Sequence, residues 1–196
     1  DGELMKKIPY KNSAQILAHF ELSEEASALV NVETLPTEAI TKLRDAELNI
    51  DLTNYLAHAL LMREAIWWSV QATQLRKADL TNQELKLINE SGKWVKEPNE
   101  ATRRYIEKAL EPLPNESPAR WVGQSVFWSG QGSIAPADLP VVMPADLLYA
   151  KAVAGAVNTA AALPEWSGYK AYYKKVFNSA IDIANGGSGA TREGGQ

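Results

Sequence analysis

Cysteine is absent from this chain of 196 residues, and histidine occurs only twice. Without thiols the protein can form neither disulfides nor thiolate metal sites. Such a composition is more natural in a reducing compartment, so we expect a cytoplasmic protein. The two histidines, His19 and His58, lack the closely spaced Glu or His partner of a zinc-binding helix. We therefore expect no metal site, and no motif indicates a cofactor.

Basic clusters are also missing. The chain has 20 Lys and Arg against 24 Asp and Glu, which gives a formal net charge of -4. No basic block could neutralise several phosphates, so we expect no nucleic acid partner. Lys6 and Lys7 are not followed by an apolar run of signal-peptide length. This start predicts no export signal, while a leader removed from a longer chain stays an alternative.

No hydrophobic run is long enough to predict a membrane-spanning helix. The best candidate, residues 147–163, is rich in Ala and Val but falls short of the roughly 20 apolar residues that cross a bilayer. It also contains Lys151, and a central lysine costs about 2.5 to 3.5 kcal/mol on insertion scales. We therefore expect no membrane insertion. In a water-soluble protein, the small residues of this segment would let neighbouring helices approach closely, which predicts a central helix.

Signals for helix starts, in contrast, are abundant. Thr81 and Glu84 have the spacing of a capping box, and Ser23, Asn99 and Ser117 each precede residues that favour a first helical turn. Together with the spacing of apolar residues, these signals predict helices over the following ranges: 12–20, 23–31, 36–47, 52–76, 81–97, 99–111, 117–129, 144–163 and 168–184.

No segment alternates clearly enough to predict a strand. The nearest, residues 140–143, is confined by prolines at both ends. The predicted fold class is therefore all-α, a compact bundle of about eight or nine helices around the small-residue helix 144–163. We expect one domain over residues 1–184. A flexible Gly-rich tail follows over residues 185–196, because it has too little apolar surface to offset the entropy of ordering.

The longest interruption of the helical pattern is residues 129–143. Gly130, Gly132, Pro136 and Pro140 break any regular element there, and the length predicts a defined loop that could cover something. Its first part also matches a Gly-x-Gly-x-x-Ala string. A dinucleotide site needs a preceding strand, but the preceding segment has a helical pattern, so we interpret the match as accidental.

Two charged residues, Arg63 and Glu64, lie within the most apolar helical segment, residues 52–75. Arg63 is flanked there by apolar side chains, so its guanidinium must reach solvent or be held by a carboxylate or carbonyls. One interpretation is an ion pair that fixes helix packing, with Glu64 as an acidic member through another helix. The other is a clamp for an anion, with Trp68 as a stacking wall. The first is favoured because structural ion-pair networks are common.

The predicted helix 99–111 carries charges at helical spacing. The pattern pairs Glu100 with Arg104 and Arg103 with Glu107, and it is typical of a solvated helix face.

Three serines are candidate nucleophiles, namely Ser125, Ser129 and Ser133, but none lies in a Gly-x-Ser-x-Gly turn. A serine triad would have to recruit one of the two histidines. We therefore predict no catalytic residue.

Several separated strings together resemble an uncharacterised bacterial all-helical family of unknown function. They are Arg63, Glu64 and Ala65 with Trp67 and Trp68; Arg103 with Arg104; Trp121 followed by Phe127, Trp128, Ser129 and Gly130; and residues 153–157, which read Val-Ala-Gly-Ala-Val. The likeness spans roughly residues 36–163. It implies a bacterial cytoplasmic accessory protein, because members are sometimes encoded near type VI secretion or FHA-domain genes. It implies no catalytic residues.

The function predicted is that of a non-enzymatic interaction or accessory protein with a protein partner, reached through a groove or the 129–143 loop. The alternative is a small anionic-ligand-binding protein or enzyme with its site near Arg63, Trp68 and that loop. A homodimer through helix 144–163 is a third alternative. The candidate binding residues are Arg63, Glu64, Trp68, Arg104, Trp128, Ser129 and Gly130.

Overall fold

The computed structural model describes residues 5–190, and all regular structure within that range is helical. Ten α-helices confirm the all-α class, slightly more than the number expected. Two 3-10 turns, Lys77–Asp79 and Trp166–Gly168, precede α6 and α10. The helices are α1 (Ala14–Leu17), α2 (Glu24–Ser27), α3 (Pro36–Asp45), α4 (Asn49–Ala59), α5 (Met62–Gln74), α6 (Asn82–Lys96), α7 (Glu100–Leu110), α8 (Pro118–Phe127), α9 (Leu148–Ala161) and α10 (Tyr169–Ala184).

The helix predicted over 52–76 is wrong as a single element, because the chain breaks between α4 and α5. Leu60 and Leu61 are extended, with ψ of 148° and 153°. The amide of Leu61 donates to the carbonyl of Lys7 at 3.1 Å. A segment distant in sequence thus takes the place of an intrahelical acceptor. Apolar residues continue across the break, so the periodicity gives no sign of it.

Helix starts follow the predicted signals closely. Thr81 Oγ1 accepts from the amide of Glu84 at 3.1 Å, and Glu84 Oε1 accepts from the amide of Thr81 at 3.0 Å. The capping box is therefore confirmed. The side chains of Ser23, Asn99 and Ser117 each accept an amide of the first turn, as expected.

Helix ends are held by arginines, which the sequence did not indicate. Arg76 donates from Nε to the carbonyl of Ala160 at 3.0 Å, at the end of α9. Arg120 Nη1 donates to the carbonyl of Leu110 at 2.7 Å, at the end of α7. The last carbonyls of a helix lack intrahelical donors, and a cation there also complements the helix dipole.

α9 is the central helix, packed against α4, α5, α8 and α10. Ala150, Val153 and Val157 on this helix have no exposed surface. A Cβ at Gly155 would lie 3.1 Å from Cδ2 of Trp121, so a small residue lets α8 approach. These residues are covered by the same chain and therefore do not supply a seam between two copies. Among residues 5–190 no helix has both the length and the apolar character needed to cross a membrane.

Three predicted helices have different bounds. Those expected over 12–20 and 23–31 are only one turn long. The central helix begins after Leu147, whose positive φ of 59° interrupts the helical path.

The first half of the predicted tail lies against α5 and α10. Trp67 Nε1 donates to the carbonyl of Ser188 at 2.7 Å, and Ser179 Oγ donates to that of Gly189 at 2.6 Å. The flexibility predicted for residues 191–196 falls outside the described residues.

Candidate functional site

The 129–143 loop is held at its base by two consecutive arginines of α7. Asn99 starts this helix, because its Oδ1 accepts from the amide of Thr102 at 2.8 Å. The regular helix that follows directs Arg103 inward and Arg104 towards the rim of the loop. The loop therefore rests on a folded element rather than on its own contacts alone.

Arg103 is fully buried, so its assignment to a solvated face is wrong. Its Nε and Nη2 each donate to one carboxylate oxygen of Glu100 at 2.8 Å, and the expected pair with Glu107 does not form. Nη1 donates to the carbonyl of Phe127 at 3.0 Å, and Nη2 to that of Ser133 at 2.8 Å. One planar guanidinium thus joins α7, the end of α8 and the loop.

Arg104 adds a second set of contacts to the same loop. The predicted pair with Glu100 is confirmed at 3.0 Å, and a further pair forms with Glu107 at 3.3 Å. Arg104 also donates to the carbonyls of Ala135 at 2.9 Å and Ser133 at 3.2 Å. Hydrogen bonds from Arg103 lower the pKa of the Glu100 carboxyl; partial burial opposes this, and the bonds from Arg104 add to it. Glu100 is therefore stabilised as a carboxylate beneath the loop.

The glycines of the loop have separate reasons to be there. A Cβ at Gly132 would lie 2.6 Å from Cζ of Arg103, so a side chain would collide with the buried guanidinium. Gly130 has a φ of 87°, which favours glycine. α8 precedes them, and the described residues contain no strand, so the structural context of a dinucleotide fingerprint is missing.

Hydrogen bonds within the loop fix its shape. The amide of Ile134 donates to the carbonyl of Val142 at 2.8 Å. Ser133 Oγ accepts from the amides of Val142 at 2.9 Å and Ala135 at 3.1 Å. Ser129 is buried, and its Oγ accepts from the amide of Gln131 at 3.4 Å. Ser129 and Ser133 thus bond to the loop backbone.

Beyond these bonds the loop carries four exposed apolar side chains within five residues, which we call the apolar tip. Leu139 is 54% exposed, Val141 74%, Val142 51% and Met143 51%. An exposed apolar side chain is ordinary when it stands alone, whereas a contiguous group marks a contact surface. The apolar tip therefore gathers the exposed large apolar side chains of this loop.

Among the described residues, Arg63 does not form the ion pair favoured from the sequence. Its Nε donates to the carbonyl of Val95 at 2.9 Å, and Nη2 contacts the same carbonyl and, at 3.2 Å, that of Lys96. The unpaired carbonyls at the end of α6 supply the acceptors that a carboxylate was expected to provide. Glu64 pairs instead with Lys7, at 3.2 Å.

Trp68 is not a wall beside Arg63. It has no exposed surface, and its Nε1 donates to the carbonyl of Val176 at 2.9 Å. A groove of about 350 Å³ does lie beside Arg63, but it is lined by Trp67, and neither Trp68 nor any described residue of the 129–143 loop lines it. The candidate binding residues therefore fall into two separate groups. Arg104 contacts the loop that contains Ser129 and Gly130, whereas Arg63 and Glu64 line the other groove. Trp128 caps α8, and its side chain is half-buried.

His58 and the remaining serine, Ser125, have local backbone partners. His58 is 1% exposed, stacks on Phe20 at 4.7 Å and contacts the carbonyl of Asn54 through Nδ1 at 2.7 Å. Burial lowers its pKa to about 4, partly opposed by that hydrogen bond. Ser125 Oγ donates to the carbonyl of Val122 at 2.6 Å. His19 is exposed.

The sequence contained one signal for the buried arginine and one for the apolar tip. Arg103 is three residues before Ile106 and seven before Leu110, both buried, so the helical period places it on the inward face. The predicted loop 129–143 includes these residues, and their short apolar run between prolines is suited to an exposed loop segment.

Comparison with known proteins identifies a family. The model of DUF6931, described as a family of unknown function, matches residues 39–184. No curated protein and no solved structure matches the chain. The expected resemblance to an uncharacterised family is confirmed, and the match continues past residue 163 to the end of α10.

Proposed function

Because the chain belongs to DUF6931, a family of unknown function, we propose its role from the geometry. It is a non-enzymatic helical accessory protein that binds a protein partner through the apolar tip of the 129–143 loop. The single observation that carries this proposal is the exposure of Leu139, Val141, Val142 and Met143 on a loop whose base is fixed.

The rigid base supports binding because it reduces the entropy that a partner must overcome. Arg103 and Arg104 hold the loop through the carbonyls of Ser133 and Ala135. A loop already held in its bound shape loses little freedom on association, and its apolar side chains leave water when the partner covers them. The contact expected is therefore a preformed apolar projection that fits an apolar recess of the partner.

The chemistry of the candidate catalytic groups supports a non-enzymatic role. Ser125 and Ser133 bond to nearby backbone, and His58 is enclosed beside Phe20. These groups are used in folding contacts rather than facing a common cleft. The cytoplasmic location and the link to bacterial type VI secretion also belong to this proposal, and they rest on the lack of cysteine and on the resemblance.

The anionic-ligand alternative is less well supported. Arg63 uses two of its nitrogens on the carbonyls that end α6. An anion would have to share this guanidinium with the backbone, so this site ranks second.

A photo-crosslinking experiment tests the proposal. Benzoylphenylalanine replaces Val141 at the apolar tip or, as the matched control, Val32, which is also exposed at 53%. After irradiation in cells of the native host, we expect a discrete adduct from position 141 whose partner is identified by mass spectrometry, and no such adduct from position 32.

Reconstitution then decides whether the adduct reflects binding. The purified partner should bind the wild-type chain and lose at least about tenfold in affinity with Val141→Ser/Val142→Ser, because two apolar anchors are removed. Val32→Ser should bind normally. Equal adducts from both positions, or unchanged affinity of the double variant, would refute the proposal.

A further inference from the structure

A groove of about 790 Å³ lies away from the 129–143 loop. We call it the acidic aromatic groove. Part of its lining comes from residues 21–25 and from the start of α4, and part from Trp166 and the first turns of α10. Its size is that of a ligand site. None of its lining residues, all within the described range, is a lysine or an arginine.

Four carboxylates line this groove. Glu21, Glu25 and Glu47 are exposed, and within residues 5–190 their side chains form no ion pair or hydrogen bond. Asp51 is 9% exposed, and its two oxygens accept from the amide and hydroxyl of Ser23 at 2.8 and 2.7 Å. The groove therefore concentrates negative charge that no cation of the described chain neutralises.

Aromatic rings form the other part of the lining. Trp166 is 57% exposed, and its ring centroid lies 6.3 Å from that of Tyr169 at an interplanar angle of 68°. Tyr169 contacts Tyr173 in the same edge-on manner at 6.4 Å, and Tyr173 donates to Asn158 Oδ1 at 2.8 Å. These contacts position Trp166 at one side of the groove while more than half of its surface stays exposed. Exposed Ile50 adds an apolar surface.

We propose that the acidic aromatic groove binds a basic segment of a protein partner, with an arginine or lysine side chain over Trp166. A cation is attracted both to an aromatic face and to nearby carboxylates, and the aliphatic part of such a side chain fits against Ile50. Both requirements are met by the lining of this one groove.

Two other ligand classes fit less well. Among the described residues no group of three His, Cys, Asp or Glu could hold a metal ion, so a metal ion is a poorer fit than a larger cationic ligand. The start of α4 contributes a partial positive charge of about half a unit. The four carboxylates outweigh it and disfavour an anion. This proposal does not depend on the apolar tip.

The test uses a fluorescein-labelled nine-residue peptide of alternating arginine and leucine, titrated at low salt and followed by anisotropy. In a matched peptide each arginine is replaced by citrulline, which is neutral but keeps the shape. We expect saturable binding of the first peptide only. Trp166→Ala should weaken it about tenfold, the effect of losing one desolvated cation and ring contact. Trp166→Phe should restore part of the loss.

Matched variants separate the groove from the net charge of the protein. Glu21→Gln/Glu25→Gln/Glu47→Gln removes three charges from the groove and should abolish binding. The control set is Glu33→Gln/Glu97→Gln/Glu111→Gln, which removes three exposed carboxylates elsewhere and should bind within about twofold of wild type. Circular dichroism verifies that each variant is folded.

Three results would overturn the proposal. They are equal binding of the citrulline peptide, equal loss in both triple variants, and the absence of saturable binding by wild type. The Val141→Ser/Val142→Ser protein should bind the arginine peptide normally, so failure here is distinguishable from failure of the proposed function.

Discussion

Gly132 lies so close to Arg103 that a methyl group at its position would stand 2.6 Å from Cζ of the guanidinium. Arg103 cannot move aside easily, because it is fully buried and bound to Glu100, Phe127 and Ser133. The approach of the 129–143 loop to α7 therefore depends on the smallest residue at one position. This pair gives the first prediction.

Gly132→Ala should destabilise the protein by about 1 to 3 kcal/mol, the usual cost of overpacking a filled site. Chemical denaturation measures this change in the free energy of unfolding. Hydrogen exchange should also become faster at the amides of Ile134 and Val142, whose bonds close the loop. Gln131→Ala, at an exposed neighbouring position, is the control. A fully stable Gly132→Ala protein would contradict the close packing described.

Replacing Arg103 should cost more. Arg103→Met leaves the carbonyl of Phe127 without this donor and that of Ser133 with only the longer bond from Arg104, and it should lower the free energy of unfolding by about 3 kcal/mol or more. Arg103→Lys keeps the charge but loses the planar fork, so only part of the stability should return.

Lys108→Met is the comparison on the same helix, since Lys108 is exposed and forms no ion pair within residues 5–190. It should change stability by no more than about 0.5 kcal/mol. If Arg103→Met were equally mild, Arg103 would not be the anchor of the loop.

A substitution of Arg63 distinguishes a helix-capping role from an anion-binding role. Arg63→Gln should lower the free energy of unfolding by about 1 kcal/mol, because the carbonyls of Val95 and Lys96 lose a cationic donor. Sulfate, phosphate and citrate should raise the melting temperature of wild type and variant equally. A larger rise in wild type would favour an anion site there.

His58 predicts a dependence of stability on pH. Burial lowers its pKa from 6.5 to about 4, so between those values the unfolded chain binds more protons than the folded one. The stability associated with the neutral ring is complete above about pH 6.5 and is lost as the pH falls towards 4. The loss should approach about 3 kcal/mol. Denaturation series at several pH values measure it.

His58→Gln should flatten this slope, although its absolute stability is lower. His19→Gln is the control, because His19 is exposed. The carboxylates contribute a background below about pH 5, which both variants share. Identical slopes in the two variants would show that His58 titrates normally.

The sequence was sufficient to predict structural features that depend on residues close together in the chain. Thr81 and Glu84 cap each other within one turn, so their spacing alone predicted the reciprocal bonds that form. The same holds for the pair of Glu100 with Arg104. The central position of α9 was predicted as well, in this case from the small residues that let other helices pack closely against it.

The predictions failed where the structure depends on residues that are distant in sequence. The break at Leu61 depends on the carbonyl of Lys7, and nothing within the apolar segment indicates it. For Arg63 an ion pair was favoured over carbonyls, and Arg103 was paired with Glu107 rather than Glu100, whereas backbone carbonyls from other elements bind both guanidinium groups. Sequence spacing does not give the exposed fraction of side chains in an irregular loop, so the exposure of the apolar tip was not predicted.

The hydrogen bond from Leu61 to Lys7, at the break between α4 and α5, affects how much of the chain is needed for a stable fold. Lys7 accepts from Leu61 and donates to the carbonyl of Ala184, so the segment before α1 ties the middle of the chain to its last helix. Buried Ile8 follows Lys7 in this segment, and buried Ile16 lies in α1. All three residues precede the matched range 39–184. A protein trimmed to the family boundaries would lose this brace together with the packing of α1 against α4, so we expect it to be less stable than the longer chain.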